Sequence, residues 1–426
     1  MIPSEPRLRV LWLTQVVPYP PVGGSLQRAY HLLKLLGAQH DVHVIAMQHK
    51  PMSASLLAEA REALAPFCQT LDIVDISAST SGLALLLLAG MSLLTGFPLS
   101  VSIFRSSRFR ELVRDTLRSH RFDLVHLDTI SVARCIDDVS TLPTVMAHIG
   151  AESHMIRRRI PQEPSVLRRL FFRREAKSLE RLERVTCSRV GMNLVVSELD
   201  RDLLQQVAPD ASFEVVENGA DIDFFRPVAR AGVKRLVFAG RLDQASNTDG
   251  LRWFLRTAWP LICQRHPDVS LDIVGPNPPA DVVRAGADDG RITVHGLVPD
   301  VRVFFAAATA VVSPLRDGGG TRLKILDALS MGMPLVATTV ACEGIDVVPE
   351  RDVLIADTPE QFADQIDRLF ADKALQDSLA RHGRELIERQ YSWRHLVGKL
   401  VGHYRGLVAS TAPGGTVERA TGIEPV

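Results

Sequence analysis

Short, nearly continuous apolar runs recur along the chain, each closed by glycine or polar residues. Runs of this length, rich in Val, Ile and Leu, read as strands buried on both faces, as in a parallel sheet. The first is Leu8–Thr14. The loop Pro18–Gly24 follows, then a segment from Ser25 to Leu36 with apolar residues at Leu26, Ala29, Leu32, Leu33 and Leu36. That spacing predicts a helix with one buried face. Asp41–Met47 is the next strand, so the chain opens as strand, glycine loop, helix, strand, the unit of a doubly wound parallel sheet. Leu71–Ile76, Phe122–Leu127, Pro143–Ile149, Asn193–Glu198 and Phe213–Asn218 extend the pattern, with an arginine-rich helix predicted between Pro164 and Cys187.

After Asn218-Gly219-Ala220-Asp221 and a polar linker the alternation restarts. Lys234–Gly240, Ser270–Gly275, Ile292–Val298, Ala310–Leu315, Pro334–Thr339 and Asp352–Asp357 read as strands with helical segments between them. A restart points to a second sheet with its own core. We therefore expect a doubly wound unit over 1–210, another over 211–386, a helix over 387–408 packing back across both, and a disordered Gly/Thr/Ala/Pro-rich tail over 409–426. Ligands of such sheets bind beyond the carboxyl ends of the strands, where strand order reverses. Two sheets facing each other would put the site in the cleft between them.

Composition narrows the classes. Apolar residues are 46% and charged residues 23%, and 49 basic residues balance 49 acidic ones, so nothing singles out nucleic acid as a partner. The five cysteines are scattered without a CxxC pair, which reads as reduced thiols, and no ligand cluster has metal spacing. The opening residues lack the pattern of a secretory leader, and the expectation is a cytoplasmic protein. Gly82–Phe97 carries no charge but is shorter than a membrane-spanning helix, so it is expected to be a buried or interfacial helix.

The strongest chemical signal is Pro314-Leu315-Arg316-Asp317-Gly318-Gly319-Gly320-Thr321-Arg322-Leu323-Lys324. A strand ends, three glycines turn, and a helix starts near Thr321. Backbone N–H groups at such a start, with Arg322 and Lys324 beside them, form an anion site of the kind a diphosphate occupies. Asp327, further along the helix, is placed to accept hydrogen bonds from ribose hydroxyls. The Gly23-Gly24 loop offers a second close backbone approach.

On these residues the chain resembles glycosyltransferase family four, the retaining sugar transferases of GT-B architecture. The segment PLRDGGGTRLKILDALSMGMPLVAT is similar to that family's donor-site motif, as are VVENGADIDFF at the seam and FAGRL after the linker. Exopolysaccharide-type members with a GGGTRLKILEA form of the motif are the nearer likeness. The resemblance implies a GT-B fold, an acceptor-side first domain and a donor-side second domain. It also implies transfer of a sugar from a nucleotide diphosphate donor to a glycan or lipid-linked acceptor, with retention and without a metal or other cofactor. Arg241 matches the arginine that meets donor phosphate, and Gly23, Gly24, Gly318, Gly319, Gly320, Thr321, Arg322 and Asp327 fall on donor-binding positions. The family's two motif glutamates, eight positions apart, correspond here to Gly319 and Asp327, so the sugar-hydroxyl role of the first passes to backbone N–H groups or is lost. The lysine expected about five residues after Arg241 is replaced by Ser246-Asn247-Thr248-Asp249, leaving Lys324 and Arg322 to supply the charge.

His126 and His148 follow strands at positions where the family has histidines near the acceptor cleft; each is taken as a catalytic candidate or a hydrogen-bonded structural residue. Arg157-Arg158-Arg159 with Arg168, Arg169, Arg173 and Arg174 is either a solvated face or an attraction for anionic headgroups or a pyrophosphate-linked acceptor. With Gly82–Phe97 it raises peripheral contact with the inner face of a membrane. Two other functions share the fold: a nucleotide-sugar epimerase, which needs no acceptor, and a non-catalytic nucleotide-sugar binding protein.

Overall fold

The computed structural model describes residues 6–21, 23–77, 82–228, 233–317 and 321–411. A strand forms at every apolar run named above, most of them shorter than the run, with β2 running one residue past its end and β3 starting one residue ahead. The first seven are β1 (Arg9–Thr14), β2 (Asp41–Gln48), β3 (Thr70–Asp75), β4 (Leu124–Leu127), β5 (Thr144–Ala147), β6 (Met192–Val195) and β7 (Phe213–Val215). They form one parallel sheet in the order β3-β2-β1-β4-β5-β6-β7. The remaining six are β8 (Arg235–Ala239), β9 (Ser270–Val274), β10 (Ile292–Gly296), β11 (Ala310–Ser313), β12 (Leu335–Ala337) and β13 (Leu354–Ile355). They form a second parallel sheet in the order β10-β9-β8-β11-β12-β13. The architecture is the expected pair of Rossmann-like lobes facing a central cleft, the GT-B type.

Strand order reverses between β1 and β4 in the first sheet and between β8 and β11 in the second. The Gly23-Gly24 loop leaves β1, the Arg241 loop leaves β8, and the segment leading to Thr321 leaves β11. The chain thus delivers its glycine and arginine loops to both switch points.

One apolar core runs through the joint. Trp12, Leu33 and Leu194 of the first lobe, Val237, Leu326 and Leu335 of the second, and Leu396, Leu400 and Tyr404 of the last helix belong to the same buried cluster. That last helix, Trp393–Thr411, is the element that returns to the first lobe. Ala220 pairs with Ser392 as the chain comes back, and the Tyr404 hydroxyl reaches His126 Nδ1 at 2.7 Å. The seam glycine serves this return. A Cβ on Gly219 would lie 2.8 Å from the Tyr391 carbonyl oxygen and from the Trp393 ring, so close approach of the C-terminal segment, not a left-handed turn, requires glycine here.

Three expectations shift. The boundary at 210/211 falls ahead of β7, which hydrogen-bonds to β6, so the sheet of the first lobe runs on to Val215. The returning helix starts at Trp393, after a wide turn over Ile387–Tyr391. Of the two alternatives for Gly82–Phe97, a buried or an interfacial helix, burial falls away for Gly82–Thr95: Leu87, Leu93 and Leu94 are exposed, and Leu94 retains 89% of its surface. Among the described residues no helix is long and apolar enough to cross a membrane. Residues 412–426, most of the expected tail, lie outside the described residues.

Candidate donor site in the interlobe cleft

The Gly24–Gly37 helix begins at the carboxyl end of β1. Its N-cap residue, Gly23, has φ 99°, a left-handed conformation that a Cβ would strain. The Leu323–Ser330 helix begins after β11, two residues later than expected. Neither helix has a side chain capping its first turn or an acidic residue within it. Their N–H groups and positive dipole ends are therefore left for a ligand or for water. The two starts are neighbours, because a Cβ on Gly24 would lie 3.9 Å from Leu323 Cδ1. The lobes thus bring two uncapped helix N-termini, one each, to the same place.

They open into a cleft of about 590 Å³ walled by both lobes. Gly23, Gly24, Arg241, Thr321, Arg322, Lys324 and Asp327 all line it, as their sequence positions predict. Gly318, Gly319 and Gly320 lie outside the described residues.

The cations are positioned by one amide. Asn247, buried near the start of the Ala245–Trp253 helix, donates to the Arg241 carbonyl at 2.8 Å and accepts from Lys324 Nζ at 2.7 Å. Asn247 is one of the residues in place of the family's lysine, so the ammonium from the facing helix now lies against that position. Burial, with Arg322 nearby, pushes the Lys324 ammonium down to about 7. Its partner is a neutral amide and the Phe238 ring lies 4.8 Å away, so a phosphate would be its first anionic neighbour of note. Arg241 is engaged differently. Its guanidinium forms a two-bond pair with Asp243, at 3.0 and 2.6 Å, on the exposed lip. Arg322 lies deeper, where burial lowers its pKa.

Asp327 faces the cleft with its carboxyl raised well above the ordinary range by burial and by Asp221. Hydrogen bonds from a diol would offset that burial. On the opposite wall Glu152 opens the Glu152–Arg159 helix, and burial together with Glu183 and Glu175 pushes its carboxyl up to about 7. Glu175 and Glu183 are already used: Glu175 accepts from the N–H groups of Leu99 and Ser100, and Glu183 from that of Ser153. Glu152 and Asn247 line the cleft without having been singled out in the sequence as site residues; Asn247 is marked there only as standing where the family has a lysine.

The histidines are not brought to the cleft, which corrects the catalytic assignment of His126 and His148. His126 is stacked on Trp12 at 3.8 Å between ring centroids and hydrogen-bonded to Tyr404, and burial lowers its pKa. His148 bonds Asn193 at 3.1 Å and is pushed down to about 4 by burial. Both are interior groups engaged by the fold, His148 through Asn193 and His126 through its Nδ1, with Asp128 Oδ1 3.8 Å from its Nε2.

The arginine run also divides. Arg157 pairs with Glu180, Arg159 lines the cleft, and Arg158 reaches across it to Glu343 at 3.0 Å and Asp317 at 3.6 Å. Thr321 adds a second tie between lobes through the Val196 carbonyl.

Comparison with known proteins agrees with this layout. Residues 233–372, most of the second lobe, match the family model described as "Glycosyl transferases group 1". A GDP-mannose-dependent alpha-(1-6)-phosphatidylinositol monomannoside mannosyltransferase of Mycobacterium tuberculosis is 28% identical over 223 residues, 46% of this chain and 57% of that protein. The chain thus aligns with little more than half the length of that relative. A putative glycosyltransferase of Bacillus subtilis is 23% identical over 70% of the chain and 76% of its own length. Among solved structures, the sucrose-phosphate synthase of Thermosynechococcus elongatus superposes with a TM-score of 0.69 at 17% identity, covering 95% of this chain and all of that one. An Anabaena protein solved in complex with UDP and glucose gives a TM-score of 0.66 at 12% identity over 94% of this chain and all of its own. At these identities the structures establish a shared two-lobed fold, and the second lobe carries the sequence signature of the group 1 glycosyl transferases.

Proposed function

We propose that the protein transfers a sugar from a nucleoside diphosphate donor to an acceptor hydroxyl, with retention of anomeric configuration, in polysaccharide or glycolipid assembly. One observation carries this reading: two uncapped helix N-termini meet in one cleft beside Lys324 and Arg241, with Asp327 one turn further along. A diphosphate needs the first, and a ribose needs the second. The functions of similar proteins point the same way, since one is GDP-mannose-dependent and another was solved in complex with UDP and glucose.

In this reading the second lobe holds the donor and the first lobe the acceptor. The bond between the anomeric carbon and the donor phosphate oxygen breaks as the acceptor oxygen attacks from the same face. The acceptor proton passes to a donor phosphate oxygen. Charge building on the leaving diphosphate is met by Lys324, Arg241, Arg322 and the helix N–H groups, so positive charge comes from the chain and the reaction is written without a metal ion. Asp327 orients the ribose, and Glu152 faces the sugar or the acceptor from the far wall. The unpaired cysteines fit a reducing, cytoplasmic setting.

The test is release of nucleoside diphosphate from UDP- and GDP-sugars, with and without a panel of glycan and polyprenyl-linked acceptors. Acceptor-dependent release supports transfer. Conversion of the sugar without an acceptor would make the protein an epimerase, and tight binding without turnover would make it a non-catalytic binder.

A further inference from the structure

Exposed large apolar side chains are concentrated on two neighbouring helices. Leu85, Leu87, Met91, Leu93 and Leu94 belong to Gly82–Thr95, and Val166, Leu167, Leu170 and Phe171 to the first two turns of Val166–Cys187. Arg174 fastens the two helices together, donating to the hydroxyl and carbonyl oxygens of Ser92. Such a concentration marks a surface meant to be covered.

The charges beside it say what covers it. Val166, Leu170, Arg173, Lys177, Arg181 and Arg184 recur every three or four residues, which puts them on one stripe of the helix, apolar at its start and cationic beyond. Arg173, Lys177 and Arg181 on that stripe are exposed. A second copy of the chain docked symmetrically on this face would set cation against cation. A bilayer with anionic headgroups takes the leucines into its acyl boundary and the arginines at its surface. The 14-residue helix is about 21 Å long at 1.5 Å per residue, too short to span, so it lies in the plane of the interface.

We infer that the Gly82–Thr95 helix and the first turns of Val166–Cys187 form a docking face for an anionic lipid bilayer. This face adjoins the cleft. Glu175, one turn past the apolar start of its helix, holds the N–H groups of Leu99 and Ser100, and Ser100, Leu179 and Arg159 line the first-lobe wall of the site. Docking therefore brings the acceptor side of the cleft to the membrane surface. That consequence, an acceptor carried by a lipid, rests on the transfer reading above, whereas the docking itself does not.

The experiment is co-sedimentation of the full chain with vesicles of phosphatidylcholine alone or with phosphatidylglycerol added. We expect binding to the anionic vesicles, and at least about tenfold weaker binding to the neutral ones or in high salt. The pair Leu87→Asp and Leu94→Asp should abolish it, and the pair Arg173→Glu and Lys177→Glu should weaken it about tenfold, which keeps the test open if the leucine variant fails to fold. Nucleotide titration without lipid should be unchanged in both variants; its failure in the wild type would count against the donor site and not against docking. No sedimentation of the wild type, equal sedimentation of a folded leucine variant, or a stable dimer that the leucine substitutions dissociate would each overturn the inference.

Discussion

Lys324 and Glu152 face each other across the cleft, and burial brings both close to neutrality from opposite directions. The profile of kcat/KM reports ionisations of the free enzyme. Below about 7 the Glu152 carboxyl is protonated and loses the charge that makes it a strong acceptor for a sugar hydroxyl; above about 7 the Lys324 ammonium is lost and no longer brings positive charge to a phosphate. We expect a bell centred near neutrality, falling about tenfold per pH unit on either flank. Glu152→Gln should remove the acid flank and Lys324→Met the alkaline one, both with lower maxima. A profile whose alkaline flank survives Lys324→Met would show that another group sets it. The sequence exposed Lys324, because a lysine after a glycine run at a helix start has few other uses. It did not expose Glu152, which becomes a site residue only when the Glu152–Arg159 helix turns its first residue inward. His126 and His148 went the other way: a histidine within a strand or just after one looks the same in sequence whether it points to a cleft or to Tyr404 or Asn193.

At the scale of elements, the strands were legible because a parallel strand buried on both faces leaves an uninterrupted apolar run. Helix faces were legible only where a partner exists. The periodicity of Ser25–Leu36 marks a buried stripe, whereas Gly82–Thr95 has no polar face to orient it, and nothing local says whether protein or lipid covers it. The returning helix is a further case, since its aromatic residues announce packing but not against what. Tyr404 is buried with its hydroxyl on His126. Tyr404→Phe leaves a buried ring nitrogen without its partner, and thermal or urea unfolding should show a loss of about 1–3 kcal/mol. An unchanged midpoint would mean that the pair contributes nothing to the joint. The two glycine-led helix starts give a complementary prediction. Gly23→Val places a β-branched residue at φ 99° and should weaken nucleotide binding about tenfold through the displaced N–H groups, read by titration against the folded variant.

Across the whole molecule the two sheets are joined on one side by shared core and on the other by few polar ties. Leu33, Leu326 and Leu400 lie in the same buried cluster, which fixes the hinge side. At the mouth Arg158 bonds Glu343 and Thr321 bonds Val196, contacts that must break for the lobes to part. Ion pairs with part-exposed partners contribute about 0–1 kcal/mol, so they bias closure without locking it. Arg158→Ala should speed amide exchange in the Glu152–Arg159 helix and around Glu343 while leaving β1 and β8 protected; uniform exchange would mean that the lobes do not move separately. This tie was not legible in the sequence, where Arg158 is one of three consecutive arginines with nothing to distinguish it. The proposed donor site for a nucleoside diphosphate in the cleft between the lobes is tested by calorimetric titration of UDP and GDP, and of their sugars, into wild type and Asp327→Ala. Saturable binding of one nucleotide is expected, with a loss of about tenfold in the variant, the share of a hydrogen-bonded carboxyl. Absence of binding by every nucleotide to folded wild type, or equal affinity in the variant, would contradict it.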